Sequence, residues 1–328
     1  MNPYELKGRG LFVFSDPGGA KPILTLADEN TGTLRDIKAV SNREYPFYKE
    51  FSTKVEKPNL SKNINDFKPD FVFTGTSYTS DIEINYIIAA KENGIPVYSF
   101  VDHWTNIRNR FSKGLKTFFP DTIFVLDKRA KEIAIQEGIE VEKLSILPNP
   151  YHTLLRKWHP KYIKKTFFND NKIPFDNILI VFAPDPLSNV GGIEKFDTDE
   201  KIITQEFLKV INAVKSNKKI TIIFKPHPNQ NIEYIFPVIS NLGIDVLCLN
   251  DIDTRALLYY SDIVVGIFSN ILIEGEILGK EVIRFLEKCN NDPLEQLNIG
   301  TICRTRNQLL NILQKKINNI NEYAIRST

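Results

Sequence analysis

Short apolar runs recur along the chain, each closed by glycine or polar residues, and stretches with apolar positions at helical spacing lie between them. The first run, Gly10 to Ser15, passes through Asp16-Pro17-Gly18-Gly19 into a helical pattern. Pro22 is expected to open that helix, because proline suits the first helical position. Asp70 to Thr74 follows, with Gly75-Thr76-Ser77 behind it and a helix-like segment from Asp81 to Asn93. Val97 to Val101 and Thr122 to Leu126 complete the set. Runs this short and apolar, alternating with helices, predict a parallel sheet covered on both faces.

After Asn149-Pro150 the pattern loosens into a stretch rich in lysine and aromatics, Arg156 to Phe168. A second set then begins with Asn177 to Ala183, Lys219 to Phe224, Asp245 to Leu249, Asp262 to Gly266 and Glu281 to Phe285. Helices are expected over 200–215, 232–242, 254–260 and 270–279. The fold class is therefore α/β, with two Rossmann-like doubly wound domains facing a cleft. The N-terminal domain is expected over 1–155 and the C-terminal one over 172–305, with the boundary between 150 and 172. Leu309, Leu310, Ile312, Leu313 and Ile317 share helical spacing, which predicts a closing helix within 306–328 that packs back on the first domain.

The 328 residues exceed what one compact core needs, which agrees with two domains. Forty-two Lys and Arg against 40 Asp and Glu leave a net charge of +2, far from the basic surface of a duplex-binding protein, so nucleic acid is not an expected partner. Cys248, Cys289 and Cys303 stand in no metal-ligand spacing and form no even set for disulfides. With no export signal and no apolar run of about 18 residues, the expected location is the cytoplasm. Arg156 to Phe168 interleaves cations with Trp158, Tyr162, Phe167 and Phe168, a composition suited to peripheral contact with the inner face of a membrane. A linker with a solvated basic face is the plainer reading of the same stretch.

In open α/β sheets ligands bind beyond the carboxyl ends of the strands, so the strand-end loops carry the candidates. Lys225-Pro226-His227-Pro228 follows the strand ending at Phe224. It sets an ammonium and an imidazole between rigid prolines, which suits a phosphate that departs with negative charge. Ser269 and Asn270 open a helix whose free amides would attract an anion, and Glu274 one turn in could accept two ribose hydroxyls or merely complement the helix dipole. Gly18 and Gly19 would let backbone amides approach a phosphate or sugar. Asp16 is the first candidate base, and its bland alternative is a turn-stabilising aspartate. Asp102 and His103 end another strand beside Trp104 and are the second candidate base pair, with Arg108 and Arg110 as further anion contacts. Ser188 is placed near donor phosphates. Asp197/Asp199 and Asp251/Asp253 match the short Asp-x-Asp pattern of metal-dependent transferases, but neither pair follows a strand, and no metal or other cofactor is expected.

The segment Lys225 to Pro228, followed by the stretch from Tyr259 to Phe285, resembles the C-terminal half of GT-B glycosyltransferases. The likeness is to surface-polysaccharide enzymes such as capsule Kdo transferases, sialyltransferases and CDP-glycerol glycerophosphotransferases. Those families carry a His-Pro motif, matched here by His227 and Pro228, and a later pair of hydroxyl residues, matched by Ser269 with Asn270 in the second place. The resemblance spans roughly 178–285 and implies a nucleotide-sugar donor held by the C-terminal domain and a glycan or lipid-linked acceptor held by the N-terminal one. UDP-N-acetylglucosamine 2-epimerases share the broad pattern. The expected activity is an inverting, metal-independent glycosyltransferase using a CMP- or UDP-linked sugar. The alternatives are a UDP-sugar 2-epimerase, which eliminates and re-adds the nucleotide on one sugar, a CDP-polyol phosphotransferase and a non-catalytic scaffold of polysaccharide assembly.

Overall fold

A computed structural model describes residues 2–227, 230, 232–234, 236–237, 245–289, 292 and 294–326. Pro228 and most of the helix expected over 232–242 lie outside the described residues. The chain divides into two compact units, Met1–Lys157 and Trp158–Thr328.

The first unit is built on β1 (Arg9–Val13), β2 (Asp36–Val40), β3 (Val55–Glu56), β4 (Phe71–Thr74) and β5 (Val97–Val101). A small antiparallel ribbon, β6 (Ser112–Lys113) with β7 (Lys116–Thr117), precedes β8 (Thr122–Val125) and β9 (Leu144–Ile146). Apart from the ribbon these strands form one seven-stranded sheet in the order β3-β2-β1-β4-β5-β8-β9, parallel throughout. All four residues of β4 are buried, as a strand covered on both faces requires. The first helix, Pro17–Glu29, starts five residues earlier than expected, with Asp16 as its N-cap and Pro17 in the first turn, where its missing N–H costs nothing. Pro22 therefore lies inside the helix.

The second unit repeats the plan with β10 (Ile178–Ala183), β11 (Ile220–Phe224), β12 (Asp245–Cys248), β13 (Ile263–Gly266), β14 (Glu281–Phe285) and β15 (Thr301–Cys303). They form a parallel sheet in the order β12-β11-β10-β13-β14-β15. One side of it is filled by Phe182, Phe207, Phe224, Leu309, Leu313 and Ile317, with the Phe182 and Phe207 rings stacked at 4.0 Å. The final helix, Arg306–Arg326, thus contributes to the second unit's core, which corrects its expected return to the first. On the other side Phe167 and Phe168 pack with Leu257 and Leu272. Residues 158–171 accordingly belong to this unit and are not a linker.

The aromatics of the basic stretch have local partners. Tyr162 stacks on Phe167 and donates to Asp253 at 2.8 Å, and the Arg255 guanidinium lies over Trp158. Phe167 and Phe168 are buried, so they are not available for the membrane contact to which their spacing pointed. Among the described residues no helix is long and apolar enough to cross a membrane.

Candidate functional site

Each sheet reverses its strand order beside its first strand, between β1 and β4 in the first unit and between β10 and β13 in the second. Adjacent loops diverge at such a point and leave room for a ligand. The sequence candidates cluster at these two places.

In the first unit the loop Gly75–Ser80 packs against the start of the first helix. Gly19 and Gly75 meet backbone to backbone, and a Cβ on Gly19 would stand 3.0 Å from the Thr76 carbonyl oxygen and 3.1 Å from its nitrogen. Close approach between chain segments thus explains the glycine at 19. Gly18 sits beside it at the helix start, half-buried. Asp16 accepts hydrogen bonds from the Tyr78 amide at 2.9 Å and the Thr79 hydroxyl at 2.6 Å, and Arg43 donates to that hydroxyl at 3.3 Å.

The same loop reaches the end of β5. One Arg110 nitrogen donates to both Thr76 Oγ1 and Asp102 Oδ1 at 3.0 Å, and the Tyr78 ring lies over the guanidinium at 4.3 Å. Arg110 and Asp102 are only 7% and 9% exposed, so Asp102 is one half of a buried ion pair. His103 Nδ1 lies 3.0 Å from the Thr105 hydroxyl. Burial lowers the His103 pKa; the charge of Asp102 raises it and Arg110 lowers it. A neutral imidazole at physiological pH is able to accept a proton. Asp16, Asp102 and His103 are thereby brought around one loop.

A fourth ionisable group there was not foreseen. Glu83, in the first turn of the helix Ile82–Glu92, is 3% exposed and accepts a very short hydrogen bond from Ser77. Burial pushes its pKa up to about 7; the Ser77 hydroxyl opposes the rise and the Asp16 charge adds to it. The available signal was a carboxylate flanked by Ile82 and Ile84 in a helix apolar on nearly every side.

In the second unit the crest of the sheet gathers Asp185 after β10, Lys225 to His227 after β11 and Phe268 to Asn270 after β13. Asp185 was also missed. Its carboxyl is enclosed although the residue as a whole is half-buried, and the Phe268 amide donates to it at 2.7 Å. Burial raises its pKa to about 6, against hydrogen bonds from the Phe268 amide and from the Ser269 amide and hydroxyl and against the charge of Arg284. Amides that sequence reasoning left free for a ligand at this helix start thus already serve the chain's own carboxylate. Asn270 is the first residue of the helix Asn270–Ile277, and Glu274 is buried in it at 4% exposure.

Lys225 Nζ donates to the Asn250 carbonyl at 3.1 Å, tying the ends of β11 and β12. The His227 amide donates to Gln230 Oε1 at 3.1 Å, and Gln230 in turn reaches the Tyr234 hydroxyl at 3.2 Å. Gln230 and Tyr234 line a hollow of about 300 Å³ together with Pro186, Ser188, Glu200 and Lys201. Ser188 gives both its amide, at 2.9 Å, and its hydroxyl to Glu200 at the start of the helix Glu200–Ala213. Among the described residues no cluster of three or more His, Cys, Asp or Glu could hold a metal ion. Asp199 and Asp253, from the two Asp-x-Asp pairs, are helix N-caps, accepting from Ile202 at 2.8 Å and Ala256 at 3.0 Å.

No known protein family and no curated protein sequence matches the chain. Solved structures do. S. aureus MnaA, solved with UDP, superposes with a TM-score of 0.66 at 16% identity over 94% of this chain and 87% of that one. The UDP-GlcNAc 2-epimerase of Neisseria meningitidis, bound to UDP-GlcNAc, gives 0.66 at 17% identity over 94% and 91%. That of Methanocaldococcus jannaschii, with UDP-GlcNAc and UDP, gives 0.65 at 16% over 94% and 93%. The chain shares their fold, two Rossmann-like parallel-sheet domains. The expected glycosyltransferase is corrected by this finding: the Neisseria and Methanocaldococcus structures are of UDP-GlcNAc 2-epimerases, the alternative reading. The misdirection has a physical origin. Lys225, His227 and Ser269 were expected at the nucleotide end of a ligand, which both enzyme classes share, so that expectation carried no information about the fate of the sugar.

Proposed function

We propose that the chain is a UDP-sugar epimerase that inverts the carbon next to the anomeric centre by eliminating and re-adding UDP. The reading is carried by the shared fold, over 94% of the chain, with 2-epimerases solved holding UDP-GlcNAc. It agrees with the division of chemistry between the units. The second offers a cation and an imidazole, Lys225 and His227, flanked by Pro228, with Ser269, Asn270 and Glu274 on the same crest; these we assign to the nucleotide. The first offers acid–base groups, Asp16, Asp102 and His103, with Gly18 and Gly19 at the adjoining helix start; these we assign to the sugar.

In the forward step a base takes the proton from C2 and the C–H electron pair becomes a C1–C2 double bond. The C1–O bond breaks and its pair leaves on the β-phosphate of UDP. A cation beside that oxygen lowers the barrier because charge develops there. Re-addition runs the same events in reverse, with the proton delivered to the other face of C2. His103, kept neutral by burial, is suited to accept the proton, and the Asp16 carboxylate, once it has taken up a proton from solvent, to return one.

Incubation with UDP-GlcNAc in deuterated water tests the reading. Proton NMR should show the C2 epimer appearing with deuterium at C2. A panel of UDP-hexoses that gives neither epimer nor deuterium, while the folded chain is intact, refutes it.

A further inference from the structure

Three neighbouring hydroxyls of the Gly75–Ser80 loop each serve a different charged group. Thr76 holds Arg110 and through it Asp102, Ser77 holds Glu83, and Thr79 holds Asp16. Two of these acids face the strand-end crest where chemistry is expected. Glu83 lies beneath the loop, 3% exposed, on the helix that supports it. We propose that Glu83 is a positioning residue that, through the Ser77 hydroxyl, sets the shape of the Gly75–Ser80 loop and with it the placement of Asp16. The inference rests on the reading of the chain as a UDP-sugar enzyme with Asp16 among its acid–base groups.

The surroundings of Glu83 define when it does this. Besides Ser77 it is faced by Asp16 and the Ser15 amide at the end of β1, and by Tyr45 and Tyr48 around the turn Pro46–Glu50, with Arg43 close to both tyrosines. Asp16 adds repulsion, and both tyrosines are neutral because burial holds their pKa values up, Tyr45 to about 12. No cation makes an ion pair with Glu83 among the described residues. Its protonated form fits this enclosure, and its ionised form sets a second negative charge under a loop that already carries Asp16. Ionisation near pH 7 therefore tightens the Ser77 hydrogen bond while it sets the Glu83 charge against Asp16, and the two together move the loop.

The test compares wild type with Glu83→Gln, which retains an acceptor for Ser77 and does not ionise, and with Glu83→Ala, which removes the contact. A group titrating near pH 7 is about nine-tenths protonated at pH 6 and about one-thirtieth at pH 8.5, so wild-type kcat should fall about thirtyfold between them. In Glu83→Gln that alkaline fall should disappear, and in Glu83→Ala kcat should drop at least about tenfold at every pH with KM little changed. An alkaline limb that persists in Glu83→Gln, or a Glu83→Ala variant with wild-type kcat, overturns the proposal. A readout without turnover separates this from the function itself: the backbone amide resonances of Ser77, Tyr78 and Thr79 should shift with a midpoint near pH 7 in wild type and not in Glu83→Gln. Absence of that titration in wild type refutes the role of Glu83. Absence of turnover on every UDP-sugar, with the titration present, refutes the reaction instead.

Discussion

Asp185→Asn isolates the energetics of the second unit's crest. The Asp185 carboxyl is enclosed, and its pKa stands at about 6 against an ordinary value of 3.8. A folded-state pKa above the unfolded one means that the native protein holds the proton more tightly, so the favourable contribution is complete below about pH 4 and is lost as pH rises through about 6. At 1.36 kcal/mol per unit the full loss is roughly 3 kcal/mol, most of it between pH 4 and 7. The asparagine variant has no such slope. The wild-type advantage over Asp185→Asn in unfolding free energy should therefore shrink by roughly 2–3 kcal/mol from pH 4 to pH 7. The chain has two tryptophans, Trp104 in the first unit and Trp158 in the second, so urea titration in a Trp104→Phe background follows the second unit by fluorescence. A difference that is constant with pH, or grows as pH rises, would show that the carboxyl is not desolvated and that the account of the Ser269 helix start is wrong.

Other substitutions probe the remaining contacts. Arg110→Ala leaves Asp102 buried without its partner and should cost about 3–5 kcal/mol in thermal or urea unfolding, part of it recovered by adding Asp102→Asn. Gly19→Ala forces a methyl against the Thr76 backbone and should cost about 1–3 kcal/mol, with loss of the Thr79 to Asp16 bond visible in a crystal structure. His227→Ala should lower kcat by about 10²–10³ if the imidazole stabilises departing UDP, while the melting temperature stays within about 2 °C of wild type. Equal losses of activity and stability would assign His227 to folding instead.

The strand pattern was readable where both faces of a strand are buried. Ile178 to Ala183 is apolar at every position and was located to within a residue. Asp36 to Val40 was overlooked because Asp36 and Lys38 break the run. Lys38 is accommodated by laying its ammonium over the Phe67 ring, a tertiary contact no local pattern announces. At the site, Asp16, Asp102 and His103 were legible as polar residues ending apolar runs. Their partners were not, since Thr79 and Asp16 stand 63 positions apart and Thr76 and Arg110 stand 34 apart. Ser188 drew attention in a loop whose enclosed acid is Asp185, because a hydroxyl beside a strand end suggests a ligand contact until Glu200 is seen to occupy it.

The loop that ties Thr76, Ser77 and Thr79 to separate charged groups also bears on how such a site can change over generations. Each hydroxyl fixes one acid, but the backbone between them is shared, so a replacement at any one displaces the neighbours of the other two. Effects of paired changes among Asp16, Ser77, Glu83 and Arg110 should then depart from additivity. A random library across this segment should return few functional variants, and those few should carry coordinated replacements. The acids would be inherited as a block, and a new sugar preference would be easier to reach by varying residues outside it.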